Sequence, residues 1–492
     1  MSNLLIAVGG SGEHVALAVS RLIYLGALPP MQGLIIDADD GSDLAKKLKS
    51  FDSYENKEFR TEHPLPGCAS LLEPFDPTFA ATARQAKQAQ KPTGGNTDQF
   101  PAAQTGVPFR ALMRGDADDD SGDVFRALFG PEEAQTDVMH GFFARPTLGA
   151  SAFAAQGGKL IEEVVAKARS ADMCIVTGSF IGGTGAGVLP SLVRQLSEGG
   201  VTARLYGVFL MEWLRASDTG SNVVSAASMQ NNAMHGVEYF FKHMKTHLTA
   251  TALVGPPAGT TVPLFAATTP ADNMGEAPSF FPLAAARCLF SMPDTTSAGK
   301  GSVNAFVVDE ADPLELLKKP WLDGKSLLDY IRAFQKCTAL LNYYCAAENE
   351  PNRKKVVDNL TSKFGNQDLI PVSLRAGLKT YAAKAKRAPS LFGGDEAFAA
   401  FASDFFSALR HHQVHMEKTV SWFDSVFKAA GGLPVNDVEQ LRRDGSKSLD
   451  LLKEYWGATI EVPQELISET DPKAFAASLA TELRTRLLAK CA

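Results

Sequence analysis

A chain of 492 residues can bury a large core, and such a length suits about two to four domains. Hydrophobic residues at 45% and charged residues at 21% exclude a disordered or fibrous class, and a formal charge of −7 without a basic patch argues against nucleic acid as a main partner.

In chain order, residues 3–8 (NLLIAV) form an apolar run that predicts a strand. Gly9-Gly10-Ser11-Gly12 breaks it, after which Val15, Ala18, Val19 and Leu22 recur at helical spacing as far as Gly26. A second apolar run at 33–36 ends in Asp37-Ala38-Asp39-Asp40, where a parallel strand delivers side chains to a ligand crevice. From 51 to 158 the pattern lapses into prolines (Pro64, Pro66, Pro74, Pro77, Pro92) and the acidic run 116–123. Loops of that length are uncommon inside a domain, so this stretch reads as an insertion with short helices such as 78–90.

Regularity returns with a helix at 159–170, a strand at 173–177 and a second glycine loop at 178–187. The helix behind that loop carries an apolar stripe of Leu189, Leu192, Val193 and Leu196, and Pro190 is tolerated if it falls in the first turn. Further strands are expected at 203–211, 251–254 and 303–308. Beyond residue 295, amphipathic segments near 326–345, 396–412, 437–455 and 472–490 change the character of the chain. The expected division is a first α/β domain at 1–295 carrying the insertion at 51–158, a second α/β or mostly helical domain at 296–430, and a helical C-terminal region at 431–492.

No apolar stretch approaches the ~20 residues that span a bilayer, and the apolar start at residues 4–8 has neither a basic leader nor a cleavage site. Six scattered cysteines form no CxxC pair, and Cys174 and Cys288 lie inside apolar runs. A cytoplasmic protein with reduced, buried thiols is expected.

The main chemical signal is Ile181-Gly182-Gly183-Thr184-Gly185-Ala186-Gly187, after a strand and before a helix. Glycines let the backbone turn tightly and bring several N–H groups to one anion, and the helix adds its own unpaired N–H groups and dipole. Thr184 offers a hydroxyl in the same place. A Walker loop is excluded, because Gly187 is followed by Val188 and Leu189 and the phosphate-binding lysine is missing.

This loop resembles the GGGTG-small-Gly signature of the tubulin and FtsZ superfamily, in particular its prokaryotic tubulin-like members, with Ile181 in place of the first glycine. The resemblance implies a tubulin-like nucleotide-binding domain, a parallel sheet flanked by helices, followed by a smaller α/β domain and a helical C-terminal region. It implies GTP or GDP as the ligand, held by Gly182, Gly183, Thr184, Gly185, Ala186 and Gly187 around the α- and β-phosphates. Gly9-Gly10-Ser11-Gly12-Glu13 is similar to the family's first nucleotide loop. Asp37 and Asp39 resemble its second, facing the nucleotide or its Mg2+, with solvated strand-end carboxylates as the alternative. Arg145-Pro146-Thr147-Leu148-Gly149 is similar to the γ-phosphate loop through Gly149, or is an ordinary turn. Asn232, read as opening a helix, and Asn273, before a helix at 280–290, resemble the asparagines that contact guanine; a helix cap is the alternative for Asn232. The central helix is then either 280–290 or 326–345.

Other patterns are weaker. In His411, His412 and His415 (HHQVH) positions i and i+4 share a helix face but no third metal ligand is evident, and Asp116 to Gly122 departs from a calcium loop at Ser121 and Ala127. No metal site is assigned. Gly10-x-Gly12 followed by Asp37 also suits an incomplete dinucleotide fingerprint, but a dinucleotide fold does not require the second glycine loop.

Within the superfamily, the next subunit inserts an acidic loop that positions the attacking water, which implies head-to-tail filaments of the chain with itself. Asp294 and the Asp309, Glu310, Asp312 cluster are the candidates for that loop; neither is a clean copy. Two functions remain: a polymerising GTPase, and a non-hydrolysing nucleotide-gated scaffold that binds a protein partner through the insertion or the C-terminal helices. An NAD-dependent oxidoreductase is the third and weakest.

Overall fold

Six apolar runs become the strands of one parallel sheet. They are β1 (Asn3–Val8), β2 (Gln32–Ile36), β3 (Met173–Ser179), β4 (Arg204–Leu210), β6 (Ala250–Gly255) and β8 (Ser302–Val307), in the spatial order β2-β1-β3-β4-β6-β8. Two short strands, β5 (Arg215–Ala216) and β7 (Leu264–Phe265), pair separately. The computed structural model describes residues 3–24, 28, 31–37, 108–113, 119–136, 141–142, 144–216, 226–256, 264–265, 280–291 and 301–307. All seven residues of β3 are buried, as a parallel sheet covered on both faces requires.

The helices are α1 (Gly9–Tyr24), α2 (Phe109–Leu112), α3 (Asp120–Leu128), α4 (Pro131–Gln135), α5 (Pro146–Arg169), α6 (Gly183–Glu198), α7 (Ala226–Tyr239) and α8 (Phe280–Ser291). α7 runs on into a π-helical turn at Phe240–Met244 and a 3-10 turn at Lys245–His247. Alternation along the strands sorts side chains between two faces. Leu4, Ile6 and Val8 pack with Leu148 and Ala152 of α5 and with Val188, Leu189 and Leu192 of α6. α1 is buried through Val15, Ala16 and Val19, which stand outside that core, and so covers the opposite face.

Strand order fixes where a ligand crevice lies. The chain crosses from β1 to β2 in one direction along the sheet and from β3 onward in the other, so β1 and β3 flank the point of reversal. Their following helices leave on opposite faces, and the gap at the carboxyl ends of the two strands is the usual ligand crevice of an open α/β sheet.

The stretch expected as an insertion is partly built into the core. Phe109, Phe125 and Phe142 join it, and Phe109 and Phe125 meet Phe129 at 5.0 and 5.1 Å between ring centroids. α5 starts at Pro146, ahead of the helix start expected at 159, because Leu148, Ala152 and Phe153 prolong its buried stripe. Pro190 lies in the interior of α6, not in its first turn, because winding begins at Gly183. Its missing N–H removes the bond that would reach the Ala186 carbonyl.

The chain divides into two compact units. The first comprises 1–20, 31–49 and 70–312, and of the second (21–30, 50–69 and 313–492) the described residues are 21–24 and 28. The helix expected at 78–90 and the regions expected at 296–430 and 431–492, apart from 301–307, lie outside the described residues.

Candidate functional site

β1 and β3 run side by side with Ala7 opposite Thr177, so the chain leaves both strands at the same edge. The first departure is a left-handed turn at Gly9, with φ of 70°. Such a backbone costs an L-residue about 1–2 kcal/mol. A Cβ on Gly9 would also stand 2.9 Å from the Gly185 nitrogen and 3.3 Å from the Thr184 Cβ. The two glycine turns are therefore in contact. Behind Gly9 and Gly10, the Ser11 hydroxyl accepts a hydrogen bond of 3.2 Å from the indole N–H of Trp213, which is fully buried and meets the edge of His14. Gly12 and Glu13 are buried in the first turns of α1.

The second turn is anchored by aromatic packing. Phe180 meets Phe209 at 5.2 Å and Phe240 at 6.2 Å between centroids, and the Ile181 N–H donates to the Ser179 hydroxyl at 3.2 Å. The glycines that follow have different surroundings. A Cβ on Gly183 would stand 2.7 Å from the Phe142 Cβ and 2.8 Å from the Phe142 carbonyl, whereas a Cβ on Gly182 meets nothing within 4 Å. Gly183 lets Phe142 close over the turn. Gly182 borders open space. Gly149, in the first turn of α5, presses on the Gly183 carbonyl. Gly185, Ala186 and Gly187 follow in the opening turns of α6, with Ala186 partly exposed.

Asp37 reaches the same place from the end of β2. The Thr184 hydroxyl donates to its carboxylate at 3.0 Å across 147 positions of sequence, and both side chains are buried. Three adjacent strands thus deliver Gly9, Asp37 and Thr184 to one point.

Asn232 departs from the expectation that it opens a helix: α7 begins at Ala226 and Asn232 lies inside it. Its side-chain N–H2 donates to the Ala144 carbonyl at 2.7 Å and to the Ile181 carbonyl at 3.3 Å. Sequence reasoning did not find Phe142, Trp213 or Ala144, since apolar residues in irregular chain carry no periodic signal. Asp39, Asn273, Asp294, Asp309, Glu310, Asp312 and the three histidines lie outside the described residues.

No family model matches the chain, and no curated protein matches it. Among solved structures it is similar to CetZ2 from Haloferax volcanii, solved as a GTPγS-bound protofilament, with 17% identity and a TM-score of 0.30 over 64% of this chain and 63% of that one. It is also similar to an empty FtsZ dimer from M. jannaschii, with 15% identity and a TM-score of 0.25 over 52% of this chain and 45% of that one. The chain spans less than two thirds of the length of either. Likeness this distant leaves the site to be judged on its own geometry.

That geometry favours an anion. The opening turns of α1 and α6 carry N–H groups without partners inside their helices, at the positive ends of the two helix dipoles. Nucleophilic chemistry finds no support in the two thiols of the described residues. Cys174, in β3, and Cys288, in α8, are both pushed up to about 12 by burial, which keeps them protonated and inert. Among the described residues no cluster of His, Cys, Asp and Glu is suited to hold a metal, and no helix is long and apolar enough to cross a membrane.

Proposed function

We propose that this chain is a tubulin-like protein that binds a guanine nucleotide in the crevice between the ends of β1 and β3. The observation that carries the reading is the contact of the two glycine turns, with a Gly9 Cβ position 2.9 Å from the Gly185 nitrogen. Two helix N-termini that meet in this way can share one polyphosphate. Gly9, Gly10, Ser11, Gly12 and Glu13 line it from one side, and Gly182 through Gly187 from the other. Gly182 leaves room for the phosphates, and the backbone N–H groups of Gly183, Thr184 and Gly185 neutralise them.

Asp37 supports the same reading over a dinucleotide enzyme. A dinucleotide fold uses the carboxylate after the second strand for a ribose, whereas here it is bonded to Thr184 of the second phosphate turn. A buried carboxylate beside a polyphosphate calls for a cation, and Mg2+ bound there would offset the charge of both. Asp37 would supply an oxygen, with Thr184 holding its carboxylate in place. In the proposal Asp39, Gly149 and Asn273 complete the site.

The loops' resemblance extends the proposal to head-to-tail self-association, with hydrolysis depending on an acidic loop from the neighbouring subunit. Mass spectrometry of nucleotide released from the purified protein tests the first step. Bound GTP or GDP is expected, and adenine or nicotinamide nucleotides would overturn the reading. Pelleting with GTP and with a non-hydrolysable analogue, read beside phosphate release, then separates a polymerising GTPase from a non-hydrolysing scaffold.

A further inference from the structure

Asn232 stands in the proposed site for a reason different from contact with the base. Its amide nitrogen has two hydrogens, and two backbone carbonyls receive them: Ala144 at 2.7 Å and Ile181 at 3.3 Å. These carbonyls belong to segments far apart in sequence. Ile181 opens the second glycine turn, and Ala144 precedes α5. Ala144 has φ of 55°, which makes it the one non-glycine residue in the left-handed region among the described residues. A β-carbon there is strained, and such strain persists only where the surroundings enforce it.

The surroundings do enforce it. Phe142 fills the space beside Gly183, and Gly149 presses on the Gly183 carbonyl, so the second turn is held from either side of Ala144. One helical turn beyond Asn232, a Cβ on Gly236 would stand 2.5 Å from the Phe180 Cβ, which places α7 directly on the start of the same turn. Asn232 is the hydrogen-bonding member of this contact. With both of its hydrogens committed, it has none to offer the O6 of a guanine.

We propose that Asn232 is a positioning residue: it clamps the strained Ala144 segment to the second glycine turn and so holds the backbone N–H groups of that turn in their anion-binding geometry. The inference rests on the nucleotide-binding reading above, and it assigns Asn232 to the phosphates, not to the base.

The test uses the full chain, with GTP and purine riboside triphosphate as probes, since the latter keeps the triphosphate and lacks the O6, the N1–H and the 2-amino group of guanine. Asn232→Ala is expected to weaken both by about tenfold, equivalent to about 1.4 kcal/mol, and to leave their ratio unchanged. A loss confined to GTP would make Asn232 a base contact and overturn the clamp, as would unchanged affinity for both. Asn232→Asp supplies a second signature. Its carboxylate faces two carbonyl oxygens, so the charged form is disfavoured and its pKa is raised. GTP affinity of that variant is expected to recover as pH falls through the raised value, because the protonated acid can donate one bond again. A flat pH profile relative to wild type counts against the clamp.

Should wild type bind neither probe, the nucleotide reading fails, and amide hydrogen exchange still decides the clamp. In Asn232→Ala the amides of 144–149 and 182–186 are expected to exchange faster together, while those of β1 and β4 do not change. Unaltered exchange in both segments overturns it.

Discussion

The two glycine turns occupy equivalent places, each at the end of a buried parallel strand and each opening a helix, yet their glycines answer to different demands. Gly9 is required by backbone conformation, since its φ of 70° belongs to the left-handed region. Gly183 is required by packing: the space a side chain would take is filled by Phe142. Gly182 is required by neither and borders open space. A glycine-rich signature thus merges three physical roles, and only the one played at Gly182 leaves room for a ligand.

The sharpest way to break this distinction is to place the same side chain at adjacent positions. Gly182→Val is expected to keep the melting temperature within a few degrees and to weaken GTP by a hundredfold or more, because the new side chain enters phosphate space. Gly183→Val drives a branched side chain into Phe142 and its backbone, and overpacking of this kind costs about 3 kcal/mol. Urea unfolding beside GTP titration reads both. If Gly183→Val is stable and Gly182→Val is not, the assignment of roles is reversed.

A smaller effect is expected at Gly9. Gly9→Ala meets a strained φ, worth about 1–2 kcal/mol, and its Cβ presses on the Gly185 nitrogen at 2.9 Å. The variant is expected to lose about 2 kcal/mol of stability and to weaken GTP together, since the first turn must move away from the second. Loss of stability with unchanged GTP affinity would show that contact between the turns is not needed for binding.

The two turns also differ in how far sequence reveals them. Strand positions were legible: the run expected at 203–211 is β4 at Arg204–Leu210, and that at 251–254 is β6 at Ala250–Gly255. Buried parallel strands are nearly continuous in apolar residues, so local composition carries them. What each glycine faces is non-local. Phe142 lies 41 positions before Gly183 in irregular chain, and Thr184 finds Asp37 across 147. Asn232 reads in sequence as a guanine-contacting asparagine opening a helix, with a helix cap as the alternative, and only the fold brings the Ala144 and Ile181 carbonyls to it. Pro190 was misplaced for a related reason. The glycines of the second turn wind into α6 from Gly183, so the helix starts earlier than the apolar stripe.

Thr184 links the second turn to β2, and its replacement gives an intermediate effect. Thr184→Val keeps the shape and removes the donor to Asp37, with an expected loss of about 1–2 kcal/mol. Thr184→Ser retains the hydroxyl and is expected to recover most of it. A larger loss in Thr184→Ser than in Thr184→Val would mean that the methyl group, and not the 3.0 Å hydrogen bond, is what matters.

The last prediction concerns two thiols buried in the core. Cys174 of β3 and Cys288 of α8 are pushed up to about 12 by burial. In the unfolded chain these thiols ionise near pH 8.5. Since the folded-state value is the higher one, the stability tied to neutral thiols is complete below about pH 8.5 and is lost as pH rises toward 12. Urea midpoints of wild type are therefore expected to fall more steeply between roughly pH 9 and 11 than those of a Cys174→Ala, Cys288→Ala double variant. At pH 8 the same thiols are expected to resist iodoacetamide until the protein unfolds. Rapid labelling of Cys174 in the folded protein would mean that the buried start of β3 opens in the native state.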